Sequence, residues 1–99
     1  MNDIYKYRML DTPSDITKNL ADKVKNVRKR RKITREQLAT RSNVSYSTLR
    51  KFERTGQISL ISFVKLVMEL GFASDFDDIL SKPVYNSLEE VINERNQNA

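Results

Sequence analysis

The sequence predicts an all-α fold of five helices, flanked by an N-terminal arm and a C-terminal tail helix. Three observations lead there. Charged residues make up 31% of the 99 positions while glycine and proline number two each, a composition that favours helices over turn-rich β structure. Apolar residues recur at three- and four-residue spacing through most of the chain, the period of a helix with one buried face. Ser, Thr or Asp stands before each such stretch, where a side-chain oxygen can take the unpaired amide protons of a first turn. A chain of this length suits one small domain, expected at residues 14–82 between an arm at 1–13 and a tail at 83–99.

In the arm, Tyr5-Lys6-Tyr7-Arg8-Met9 alternates apolar and basic residues with period two, which suits a short strand. A disordered arm, an arm reaching a partner and a strand exchanged between subunits are equally open. Ser14 or Asp15 is placed to cap the first helix, with Ile16, Leu20, Val24 and Val27 as its apolar stripe. Thr34 and Gln37 have the spacing of a capping box for the second helix, whose inner side is Leu38 and Ala39. Ser42-Asn43-Val44 reads as a tight turn, and Ser45 caps a third helix from Tyr46 to about Arg54 with Leu49 and Phe52 inward. Gly56 breaks the chain.

Ser59 caps a fourth helix with Leu60, Phe63, Val64, Val67 and Met68 as its apolar positions, widened by Leu66 and Leu70, and Gly71 stops it. A fifth helix is expected near Asp75–Leu80, where Asp75 fits a cap and Phe76, Ile79 and Leu80 close the core. Ser87-Leu88-Glu89-Glu90 is a further capping box, opening the tail helix through Val91 and Ile92.

Charge is distributed unevenly. Residues 1–22 sum to −1 and residues 55–99 to −4, whereas residues 23–54 hold twelve basic and two acidic side chains, a net +10. A polyanion is the natural partner for the middle of such a chain. Histidine and cysteine are both absent, which removes most nucleophilic, acid–base and metal chemistry. No enzymatic activity, cofactor or metal is therefore expected; Asp75, Asp77 and Asp78 match no known cation loop. The lack of cysteine suits a cytoplasmic protein. Neither a signal peptide nor a membrane span is expected, since apolar runs are only a few residues long.

The most informative stretch is Ile33–Glu53. Two short helices joined by a tight turn cross closely only where a small residue sits at the contact. Ala39 takes that place, flanked by Leu38, Leu49 and Phe52, while Val44 plugs the turn. The third helix then exposes Ser45, Tyr46, Ser47 and Thr48 at its start and Arg50, Lys51 and Arg54 beyond. Short hydroxyls and long cations suit base edges and phosphates in a major groove.

Here the chain resembles the lambda-repressor-like, or Xre, helix-turn-helix family. The resemblance covers roughly Ile16–Leu80 and rests on Leu38-Ala39, Val44, the Ser45 cap, Leu49, Phe52-Glu53 and the fourth helix ending at Gly71. It implies a sequence-specific repressor binding double-stranded DNA, as a homodimer on a palindromic operator. Arg35, Lys51 and Arg54 would meet phosphates, and Tyr46, Ser47 and Arg50 would approach bases. Arg35 stands where many members have Gln, and the third helix lacks the Gln pair of well-known members, so no operator sequence carries over. A narrower resemblance, in Phe52–Leu60, Phe76–Leu80 and Pro83 to Val91, is to repressor-antitoxins paired with HipA-type kinase toxins, and implies a HipA-like kinase as second partner.

Plainer readings stand beside these. The run Arg28–Lys32 is either the solvated end of a helix, well placed for the helix dipole, or a phosphate clamp. Tyr46 either contacts DNA or packs on the second helix. Glu53 is read as structural, paired with an Arg on the first or second helix. Phe52, Phe63, Phe72 and Phe76 follow helical spacing as core residues. The tail's Leu88, Val91 and Ile92 dock on a partner, on their own domain or on a second protomer.

Overall fold

The computed structural model describes residues 11–83. They form four α-helices and one 3-10 helix, with no strand among them. Helix α1 spans Pro13–Arg30, α2 Arg35–Ser42, α3 Tyr46–Thr55 and α4 Leu60–Glu69, and the 3-10 helix spans Ala73–Asp78. The all-α, five-helix expectation holds for this region. The arm strand at Tyr5–Met9 and the tail helix at Ser87–Ile92 lie outside the described residues.

Helix α1 starts earlier than Ser14. Its cap is Thr12, whose side chain accepts from the Asp15 amide at 3.1 Å while Asp15 accepts from the Thr12 amide at 3.1 Å. Pro13 is the reason: it has no amide proton to satisfy and its fixed φ suits the first helical position, so the cap falls just before it. The buried line of α1 is Ala21, Val24 and Arg28, whereas Ile16 is 49% exposed. The predicted stripe is thus rotated by roughly 80° about the helix axis. The cause lies in α3, whose C-terminal Gly56 meets the backbone of Thr17 and Lys18. That approach brings the small Ala21 inward and turns the Arg28 side chain toward α3.

The next three helices begin where local chemistry puts them. Thr34 accepts from the Gln37 amide at 3.0 Å and the Gln37 side chain accepts from the Thr34 amide at 2.9 Å. Ser45 accepts from the Thr48 amide, and Ser59 from the Ser62 amide. Asn43 turns the chain between α2 and α3 with φ 58°, and its amide donates to the carbonyls of Ala39 and Thr40. Two short helices so connected must cross, and Ala39 and Val44, each 5% exposed, fill the crossing.

The core comprises Ala21, Val24, Leu38, Ala39, Val44, Leu49, Phe52, Leu66 and Leu70. Helix α1 packs chiefly on α3, and α2 on both α3 and α4. Helix α4 buries one edge of the predicted face, the widening pair, rather than its centre. Leu66 and Leu70 are its core residues, while Leu60 and Met68 are 77% and 57% exposed. Phe63 lies between, packing edge-on against Phe52 at 5.7 Å and Phe76 at 6.0 Å.

Residues 73–78 form a 3-10 turn, opened by Phe72 with no side-chain cap, so Asp75 does not cap it. Ile79 and Leu80 stay exposed, and only Phe76 of the expected trio packs, half-buried. A six-residue segment making one aromatic contact has too little to bury for a full α-helix.

The two glycines separate two costs. Both have positive φ, +80° at Gly56 and +87° at Gly71. A Cβ at Gly56 would stand 2.8 Å from the Lys18 backbone nitrogen, whereas one at Gly71 would meet nothing within 4 Å. Gly71→Ala should cost about 1–2 kcal/mol, the left-handed penalty alone. Gly56→Ala should cost about 3 kcal/mol or more, because α1 must also move away. Urea midpoints of the two variants check the difference, and equal shifts would contradict the close approach.

Candidate nucleic-acid interface

Glu53 anchors the site. It is 6% exposed, and its carboxylate accepts from Arg28 Nε at 2.8 Å, Arg28 Nη2 at 3.0 Å and Arg35 Nε at 2.9 Å. Arg28 also donates through Nη1 to the Ile33 carbonyl at 2.9 Å. Burial by itself would push the Glu53 carboxyl up. Hydrogen bonds and charge from the two arginines outweigh that and hold it below its ordinary value. The structural reading of Glu53 is therefore correct, with an Arg from each of the first two helices as partner.

That cluster redistributes the basic run at the end of α1. Arg28 is buried and belongs to neither reading made of it: it is not a solvated helix end and not a phosphate clamp. Arg31 donates to the Leu70 carbonyl and its guanidinium stands 5.5 Å from the Phe72 ring centre. Lys29, Arg30 and Lys32 are exposed. A sequence signal for Arg28 did exist, since it falls in phase with Ala21 and Val24, three and four residues apart.

The outward side of α3 is polar and basic. At 100° per residue, Tyr46, Arg50, Arg54, Ser47 and Lys51 fall within an arc of about 140°, and all five are exposed. Leu49, Phe52 and Glu53 fall outside that arc and are buried. Ser45 and Thr48 serve the cap: Ser45 Oγ donates to Thr48 Oγ1 at 2.7 Å and lies 3.3 Å from Ser47 Oγ. Thr48 is half-buried, so Ser47 is the more accessible hydroxyl of the predicted set.

Arg35 flanks this face at the Tyr46 edge. Its Nε is bound to Glu53, its side chain is 37% exposed, and its terminal nitrogens make no hydrogen bond among the described residues. Glu53 raises the Arg35 pKa most, and the nearby Tyr46 adds to it. Tyr46, 39% exposed, also lines an open groove with Glu36, Ala39 and Thr40 of α2. Its ring thus borders the groove along the second helix and stays exposed. What results is a row of cations and hydroxyls on a rigid helix, with one guanidinium fixed beside it.

A model of the helix-turn-helix family matches residues 24–75, more than half of the chain. The chain belongs to that family. No curated protein and no solved structure matches it. As a helix-turn-helix protein of lambda-repressor-like type it is a DNA-binding transcription regulator. In this helix-turn-helix protein α2 and α3 are the motif's two helices, and among the described residues no helix is long and apolar enough to cross a membrane.

Glu53→Gln should be costly, because it removes one charge from a desolvated cluster and leaves Arg28 unpaired in the core. A loss of about 3–5 kcal/mol is expected, read from thermal or urea unfolding. Acid should separate the two proteins. The folded Glu53 pKa lies below the unfolded value of about 4.3. Its contribution is therefore complete above that value and is lost as pH falls through the lowered one. The wild type should lose more stability than Glu53→Gln between about pH 5 and pH 2; parallel curves would exclude a lowered carboxyl.

Proposed function

We propose that the protein is a sequence-specific transcriptional repressor of the cytoplasm, acting as a homodimer on a palindromic operator with α3 in the major groove. The observation that carries this reading is the outward arc of α3, where Tyr46, Ser47, Arg50, Lys51 and Arg54 are all exposed. An α-helix fits the major groove, and side chains at its start and along one side reach base edges while those at the margins meet phosphates. Tyr46, Ser47 and Arg50 take the base-reading role. Arg35, Lys51 and Arg54 take phosphates, Arg35 with its terminal nitrogens because Glu53 holds Nε. Ser45 and Thr48 shape the helix start.

Size supports the dimer. One small domain buries limited DNA surface, and two copies on two half-sites supply the affinity that one lacks. A second reading, an antitoxin bound by a HipA-like kinase, draws on the resemblance in Phe52–Leu60 and Phe76–Leu80. Capture of a co-expressed kinase by the full-length chain supports it, and capture of none removes it. No catalytic role is proposed, and incubation with duplex DNA and magnesium should leave the duplex intact.

Binding assays across salt concentrations test the assignments. Lys51→Ala should weaken specific and random duplexes alike and lower the salt slope by about one. Arg50→Ala and Tyr46→Ala should each cost about 1–3 kcal/mol on the cognate site and far less on random DNA. Equal losses on both duplexes would reject the base-reading role.

A further inference from the structure

Helix α3 carries donors and acceptors unequally. Its outward arc holds three cations, Arg50, Lys51 and Arg54, and two hydroxyls, Tyr46 and Ser47. Among its ten residues there is no Asn or Gln, and the one acid is Glu53. That carboxylate is buried and already takes its N–H donors from Arg28 and Arg35, so it has nothing to offer a base. Glu36, the other acid within residues 23–54, stands on α2 and lines the groove on that side of Tyr46. The arc of α3 thus presents cationic donors and hydroxyls that both give and accept, but no carboxylate and no amide.

Base edges in the major groove differ in this same respect. Guanine shows two acceptors, O6 and N7, whereas adenine shows one acceptor and an amino donor, cytosine an amino donor, and thymine one acceptor beside a methyl group. A guanidinium has donors only, so it pairs twice with guanine, once with adenine or thymine, and meets the cytosine amino group donor to donor. Its planar fork also matches the paired acceptors of guanine in shape. The groups that suit the other two amino-bearing edges are an Asn or Gln amide for adenine and a carboxylate for cytosine. Helix α3 presents neither.

We infer that Arg50 reads a guanine in each half of the operator. The inference rests on the DNA-binding reading above and names the base that reading leaves open. Position selects Arg50 from the three cations. Around the helix it stands about 40° inside the Tyr46 edge of the arc, while Lys51 lies at the opposite margin, about 140° away from that edge. Arg54 follows one turn later, at the end of α3 that is drawn against α1, where Gly56 meets the backbone of Thr17 and Lys18. A recognition helix reads bases with its N-terminal part, and Arg50 is the cation nearest that end. It is exposed, and both ion pairs among the described residues belong to Glu53 with Arg28 and Arg35, so its fork is free of them. Tyr46 and Ser47 stand nearer still to the helix start, but a hydroxyl fits donor and acceptor edges alike and names no single base.

The test is selection from a randomised duplex pool on the full-length chain, wild type and Arg50→Ala, followed by affinity measurements on the enriched duplex with single bases replaced. Arg50 is exposed, so the variant should fold, which circular dichroism checks. The wild type should enrich duplexes with a guanine fixed in each half. Changing that G·C pair to A·T should weaken binding about tenfold or more. Replacement by 7-deazaguanine, which lacks the N7 acceptor, should weaken it by a smaller factor, whereas inosine, which lacks only the minor-groove amino group, should bind like guanine. Arg50→Ala should lose the preference at that position and keep it elsewhere. Enriched duplexes with no fixed guanine overturn the inference, as does a guanine that Arg50→Ala selects just as strongly, or one for which inosine costs as much as 7-deazaguanine. Those outcomes leave the DNA-binding reading standing. A wild type that enriches no duplex refutes that reading, and this inference with it.

Discussion

Glu53 takes three N–H donors from two arginines, one on α1 and one at the start of α2, and so ties the first three helices together at one buried point. A carboxylate this buried requires its donors, and the donors, once desolvated, require it. A buried ion pair adds little net stability over a well-packed apolar contact. What it adds here is geometry. Two forked guanidinium groups set both the rotation and the height of α3 against α1 and α2, which Leu49 and Phe52 alone would leave free to slide. The outward arc of α3 is the complement of that fixed inner side.

The same contact divides the basic charge between fold and surface. Residues 23–54 hold twelve basic side chains. Arg28 is spent wholly within the fold and Arg31 holds the end of α4, while Arg35 is shared between Glu53 and the surface. A guanidinium already held by one carboxylate loses less freedom on meeting a phosphate than a free lysine does. Arg35 is for that reason a different kind of contact from Lys51, although both were expected to meet phosphates.

Helix α4 joins the DNA-reading half of the domain to its apolar flank. It buries Leu66 and Leu70 against α2 and the core and turns Leu60, Ile61 and Met68 outward, and only four residues separate it from the end of α3. A short rigid link of this kind means that whatever packs on α4 also sets where α3 stands on DNA.

The sequence by itself determined whatever depends on neighbours three or four residues away. The Thr34–Gln37 capping box, the Ser45 and Ser59 caps, the turn at Asn43 and the break at Gly56 all stand where their chemistry put them. Leu38, Ala39, Val44, Leu49 and Phe52 are buried as their spacing required. The exposed set on α3 follows from the same periodicity. Only the tertiary structure decided the rotation of α1, the burial of Arg28, and which side of α4 faces the core. Helix α4 is apolar around more than half its circumference, so its own pattern prefers no single side. Arg28 reads as one more cation until Glu53, twenty-five residues away, is brought beside it. Local hydrogen bonding and periodicity are properties of a segment, whereas the choice among equivalent faces belongs to the partner that packs there.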